Sequence, residues 1–237
     1  MASHVQAALL PRRQFTSEAW DVYYHFEPAC VVSGDYCDLV EGAAGDLYFL
    51  FGDVSGKGFA ASMMTAHLHA MFRALIAASL PIEELLARSN RLFSESTLPS
   101  AYATLVCGRA AWSGEIEIAN AGHCPPLLIR DGSTQIVEAT GLPLGLFPNA
   151  EYDVRKFQMA PGETLLLYTD GVSEARNAAG DEYGATRLTG VAGASGTHTA
   201  QMLTNACVED VKRFYAGAPK ADDLTVMVVR RTEPARS

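Results

Sequence analysis

Apolar positions change period along this chain, and the changes divide it into elements. Residues 47–51 are five consecutive apolar or aromatic side chains, the pattern of a strand buried on both faces. From residue 59 the period becomes helical. Met64, Leu68, Met71, Phe72 and Leu75 recur at three-and-four spacing, and Ala60, Ala66, Ala70, Ala74 and Ala77 supply small residues for close packing. That predicts a long helix over 58–79. Pro81 suits a first helical turn, and Ile82, Leu85, Leu86, Ser89, Leu92 and Phe93 predict a second helix over 81–96, so the two form a helix pair.

Around this block the texture is β. Residues 20–26 alternate loosely, and residues 30–32 start a second strand that continues past Asp35 and Asp38. Gly42 to Gly45 reads as a turn into the 47–51 strand. After Pro99, short strands are predicted at 101–107, 115–119, 127–130, 135–138, 152–157 and 163–168. Ser113-Gly114, Asp131-Gly132 and Pro161-Gly162 separate them, which implies antiparallel pairing. Helices follow at 184–191 and 199–215, and 224–229 closes the chain as an apolar strand. Residues 2–10 form a brief helix stopped at Pro11. Sheet and helices are segregated rather than alternating, so the fold class is α+β, in one domain.

Composition narrows the function. No apolar run reaches the roughly 18 residues of a membrane helix, because the best candidate carries His67, His69 and Arg73. The start lacks a basic region followed by an apolar core, so no secretory signal is expected and the cytoplasm is the expected compartment. Cys30, Cys37, Cys107, Cys124 and Cys207 include no C-x-x-C pair, which argues against a disulfide framework or a zinc knuckle. A net charge of −9 disfavours nucleic acid and anionic membrane as partners.

Candidate chemistry collects at strand ends. Asp53 follows the 47–51 strand and precedes the glycine-rich start of the long helix, with Gly52 and Gly56 expected to turn the chain out of the strand. It is either a metal ligand or a helix cap. A phosphate loop is excluded, because Gly52 to Lys57 is one residue short of that motif and Gly58 stands where Ser or Thr is needed. Asp170 ends another apolar strand, Asp222 and Asp223 open the last one, and Asp35 and Asp38 sit in Ser33-Gly34-Asp35-Tyr36-Cys37-Asp38. Oxygen donors without cysteine suit Mg²⁺ or Mn²⁺ rather than Zn²⁺ or Cu²⁺. His67 and His69, two apart on a helix, point in different directions.

Six segments in order now carry a resemblance. They are 33–38, 51–58, Asn120-Ala121-Gly122-His123-Cys124-Pro125-Pro126, 141–145, Tyr168-Thr169-Asp170-Gly171-Val172-Ser173-Glu174-Ala175 and 222–225. Together they resemble the metal-dependent PPM protein serine/threonine phosphatases, in the bacterial SpoIIE and RsbU-like branch. The resemblance implies a sandwich of two antiparallel sheets flanked by helix pairs, over 20–233, preceded by an N-terminal helical or linker segment at 1–19. It implies two Mn²⁺ or Mg²⁺ ions. Asp53 matches the carboxylate bridging both, the Val54 carbonyl a main-chain ligand, and Asp170 and Asp222 ligands of the first ion. Asp35 matches a carboxylate acting on the second ion through water, so Asp53 and Asp35 are the expected catalytic residues. Ser33, Cys37 and Cys124 depart from the residues usual in the family, and none removes a ligand. His123 matches the motif either as a turn-packing residue or as a general acid.

By the same resemblance the reaction is hydrolysis of a phosphoserine or phosphothreonine monoester by a metal-activated water. The substrate is expected to be a phosphorylated regulator of the anti-sigma antagonist type, in a partner-switching pathway. A catalytically weak partner-binding module and a hydrolase of small phosphates are the alternatives. Residues 2–10 resemble the segment that in related proteins joins the phosphatase to a sensor or pairs two subunits. Nine residues are too few for a stable isolated helix, so this segment is expected to dock, with a homodimer as the expected assembly.

Overall fold

The computed structural model describes residues 2–130, 132–194 and 199–232. In chain order the elements begin with α1 (Ala2–Leu9), β1 (Gln14–Thr16), β2 (Trp20–Glu27), β3 (Asp35–Glu41), β4 (Leu47–Val54), α2 (Gly58–Ala77) and α3 (Ile82–Ser96). They continue with β5 (Ala103–Ala110), β6 (Glu115–Ala121), β7 (Leu127–Arg130), β8 (Ser133–Ile136), β9 (Arg155–Gln158) and β10 (Thr164–Tyr168). The last are α4 (Asp170–Ser173), α5 (Ala185–Ala194), α6 (Ala200–Phe214) and β11 (Leu224–Arg231).

Two compact units result. The first comprises Met1–Pro11, Cys30–His123 and Glu138–Gln158. Its antiparallel sheet runs β3-β4-β5-β6-β9. One face of β4 presents Tyr48, Leu50 and Val54 to Leu68, Phe72 and Ile76 of α2 and to Leu85, Leu86 and Phe93 of α3. Leu47, Phe49 and Phe51, on its other face, are also buried, which is why this strand reads as a continuous apolar run. Burying a side chain such as Phe72 contributes about 1.5–3 kcal/mol. Glu83 and Glu84 lie in the first turn of α3, where the helix dipole favours negative charge.

The second unit comprises Arg12–Ala29, Cys124–Val137 and Met159–Ser237. Its antiparallel sheet runs β1-β2-β11-β10-β7-β8. Tyr23, Leu166, Tyr168, Val226 and Val228 pack there with Leu188 of α5 and with Leu203, Cys207 and Val211 of α6. Thr199 caps α6 by accepting a hydrogen bond from the Met202 N–H at 3.1 Å.

Several predicted boundaries move. Residues 30–32 form no strand: Val31 is exposed, and β3 begins only at Asp35, where β4 offers a ladder partner. β-propensity without a neighbour makes no sheet. β9 starts at Arg155 rather than at 152, and β1 and the single-turn α4 were not expected at all. Gly52 does not turn the chain out of β4 but sits inside it, paired with Tyr36 and Leu105. The turn comes at Gly56, with φ +96°. The β7–β8 hairpin forms with Leu127 opposite Ile136, while Asp131 of its predicted turn lies outside the described residues.

Candidate metal centre

The first unit brings two of the expected carboxylates together. β3 and β4 pair antiparallel with Asp35 directly opposite Asp53, so both side chains leave the sheet on one face. Asp35 is buried. Like charges directly opposite each other destabilise a ladder, and a cation bound beside them would offset that repulsion. The local backbone explains the geometry. The Asp35 N–H donates to Ser33 Oγ at 2.9 Å, and the Val54 N–H donates to the Gly34 carbonyl at 3.2 Å. A Cβ added to Gly34 would stand 2.8 Å from Asp53 Oδ1 and 3.1 Å from the Val54 carbonyl oxygen. Glycine thus keeps open a small cradle faced by one carboxylate oxygen and one main-chain oxygen, both of them among the expected ligands.

Asp38, in the same motif, is used differently. Its buried carboxylate accepts two hydrogen bonds from Arg73, at 2.8 and 2.9 Å, and His69 Nδ1 lies 3.2 Å away. That is an ion pair tying β3 to α2. Burial lowers the His69 pKa against the pull of Asp38. His67 stacks on Phe93 at 5.9 Å, so the two histidines serve separate packing roles. Burial, together with the charges of Asp35 and Asp38, pushes the Cys37 thiol well above its ordinary pKa, which keeps thiolate out of the donor set.

His123 is a structural residue as well as a motif residue. Its N–H donates to Asn120 Oδ1 at 2.7 Å, and its carbonyl accepts from Asn120 Nδ2 at 3.0 Å. Its ring meets Thr104 Oγ1 at 2.8 Å and Phe51 edge-on at 5.5 Å. These contacts bear out turn packing.

In the second unit Asp170 and Asp222 are delivered by neighbouring strands. β10 and β11 pair antiparallel, and beyond Tyr168 the Thr169 N–H donates to the Thr225 carbonyl at 3.1 Å. The Thr225 N–H returns a bond to Thr169 Oγ1 at 3.2 Å. Asp170 then opens α4. A Cβ on Gly171 would fall 1.8 Å from the Asp223 carbonyl oxygen and 3.4 Å from the Asp222 Cβ, so only glycine lets the two Asp-bearing segments lie against each other. Asp223 ties its loop to the chain after β2: its Oδ1 accepts from the Ala29 N–H at 2.6 Å. Lys220 reinforces this end by donating to the carbonyls of Glu27 and Pro28.

Each unit therefore presents two of the expected carboxylates close together, Asp35 with Asp53 and Asp170 with Asp222. Among the described residues, no group of three or more His, Cys, Asp and Glu side chains stands close enough to hold a metal ion. The donor chemistry nonetheless fits a hard divalent cation, since every expected ligand is an oxygen and the Gly34 cradle places two of them beside one small space.

The family model described as Stage II sporulation protein E (SpoIIE) matches residues 43–232. The chain belongs to the SpoIIE family. Among curated relatives of this SpoIIE-family chain, Protein IcfG of Synechocystis sp. is 25% identical, with 96% of this chain and 40% of that protein covered. Phosphoserine phosphatase RsbU of Bacillus subtilis is 27% identical, with 74% and 53% covered. The chain thus spans about half or less of the length of these relatives. A solved structure of the RsbU and RsbW domains of a Mycobacterium tuberculosis protein is 27% identical, with a TM-score of 0.78 and with 92% of this chain and 61% of that one covered. Two antiparallel sheets with their helices are the α+β fold of the SpoIIE and RsbU branch of PPM phosphatases.

The glycine at 34 was visible as a motif position, but its close approach to Asp53 was not. Nor was Gln6, whose contacts with Ser33 have no signature in the sequence.

Proposed function

We propose that this chain is a metal-dependent serine/threonine protein phosphatase that hydrolyses a phosphoserine or phosphothreonine monoester. The observation that carries the proposal is the cross-strand pair of Asp35 and Asp53 beside the Gly34 cradle, a costly arrangement that a bound divalent cation would justify. Family membership and the printed activity of RsbU support the same reading. Asp53, the Val54 carbonyl, Asp170, Asp222 and Asp35 are the proposed ligands. Two Mn²⁺ or Mg²⁺ ions would supply the Lewis acidity that makes water nucleophilic near neutral pH and offsets phosphoryl charge.

The chain's own part is to fix these oxygens. The β3–β4 register holds Asp35 and Asp53 on one face, Gly34 leaves their surroundings open, and Gly171 holds Asp170 beside Asp222. The proposed substrate is a phosphorylated regulator of the anti-sigma antagonist type. The proposal extends to a homodimer, with Val5 of α1 and Phe59 and Met63 of α2 exposed around one groove; a monomer in light scattering overturns that extension. The deciding experiment is phosphate release from phosphoserine regulators with Mn²⁺, with Mg²⁺ and in excess chelator after dialysis. Turnover only with metal supports the proposal, and equal turnover in chelator overturns it.

A further inference from the structure

We infer that Gln6 of α1 is a positioning residue for the Asp35–Asp53 pair, an inference that rests on the metal reading of that pair. Gln6 is buried, and its primary amide exchanges two hydrogen bonds with the backbone of Ser33. Nε2 donates to the Ser33 carbonyl at 2.7 Å, and the Ser33 N–H donates to Oε1 at 3.0 Å. Nε2 also reaches Thr65 Oγ1 of α2 at 3.5 Å. The contact is a one-residue imitation of a strand ladder, made by a side chain where none is available from a strand, because residues 28–34 carry no regular structure.

The consequences run directly to the proposed ligands. Ser33 Oγ accepts the Asp35 N–H, the Gly34 carbonyl accepts the Val54 N–H, and the missing Gly34 Cβ leaves the space faced by Asp53 Oδ1 and the Val54 carbonyl. Gln6 clamps the residue immediately before that glycine. Rotation of the Ser33–Gly34 backbone would tilt Gly34 into the cradle and swing Asp35 off its register with Asp53. Only an amide of this length supplies a donor and an acceptor together: glutamate keeps the acceptor and loses the donor, and leucine loses both.

The test is direct Mn²⁺ binding to the full chain, followed by electron paramagnetic resonance of unbound Mn²⁺, with thermal melting of the metal-stripped protein alongside. Gln6→Leu is expected to weaken Mn²⁺ binding roughly 10–100-fold, the usual effect of removing a group that orients a ligand. Gln6→Glu should fall between it and wild type. Val5→Ala, on the side of α1 turned to Phe59 and Met63 rather than to Asp35, should shift the melting curve and leave Mn²⁺ affinity near that of wild type. If Gln6→Leu melts lower yet binds Mn²⁺ as tightly as wild type, Gln6 merely anchors α1 and the inference fails. If Val5→Ala weakens binding as much as Gln6→Leu does, docking of α1 rather than the amide clamp is responsible, and the inference fails in that way. Wild-type protein that binds no Mn²⁺ would overturn the metal reading itself, and this inference with it.

Discussion

Asp53 and Asp35 face each other across β3 and β4 with both side chains on the same face, and that opposition gives the sharpest expectations at the scale of single residues. Asp53→Asn keeps the volume and removes the charge. Turnover should fall by several orders of magnitude, while the metal-stripped protein becomes slightly more stable because a like-charge repulsion is relieved. Steady-state kinetics beside a urea melt checks both halves, and a mutant with wild-type turnover would leave Asp53 no more than a structural residue. Gly34→Ala tests the cradle by filling it. With a methyl 2.8 Å from Asp53 Oδ1, something must shift, and Mn²⁺ affinity measured by calorimetry should drop roughly 10-fold or more.

At the scale of elements, the β10–α4 junction depends on Gly171 lying against the Asp222–Asp223 backbone. Gly171→Ala should cost about 1–3 kcal/mol, the usual penalty for overpacking, read as a lower urea midpoint. The end of β2 offers a pH test. Burial alone would raise the Glu27 pKa, but hydrogen bonds from Lys212 and His25 and the charge of Lys220 outweigh it and hold the carboxyl down at about 2, from 4.5. A depressed carboxyl contributes stability that is present above the unfolded value and lost as pH falls. The Glu27→Gln variant should therefore be less stable than wild type at neutral pH, with the difference shrinking between about pH 4.5 and 2. A difference that stays constant through that window would mean that these contacts do not act through the charge.

For the molecule as a whole, metal binding and stability are linked. A ligand that binds only the folded state at 100 times its dissociation constant adds about 2.7 kcal/mol, and each kcal/mol raises Tm by roughly 2–4 °C in a chain of this size. Saturating Mn²⁺ should therefore raise the melting temperature measurably, and excess chelator should reverse the rise. Asp53→Asn should reduce the shift. A melting curve indifferent to both additions would argue against metal sites built into the fold.

The sequence by itself determined the elements that local periodicity can encode. The 47–51 run, the helical spacing from residue 59 and the Asp-Gly and Pro-Gly turns each carry their period or their turn chemistry in neighbouring residues, so β4, α2, α3 and the β7–β8 hairpin were legible from them. The motif order likewise identified the family, because each Asp follows a strand whose apolar pattern is local. Tertiary structure alone decided what depends on partners far away in the chain. Val31 and Val32 are β-branched yet have no strand beside them, so no ladder forms there. Asp38 belongs to the same motif as Asp35, but Arg73 on α2 pairs with its carboxylate. Gln6 meets Ser33 across 27 residues. Gly34 and Gly171 matter for the distance between two backbones, a quantity that no single stretch of sequence contains.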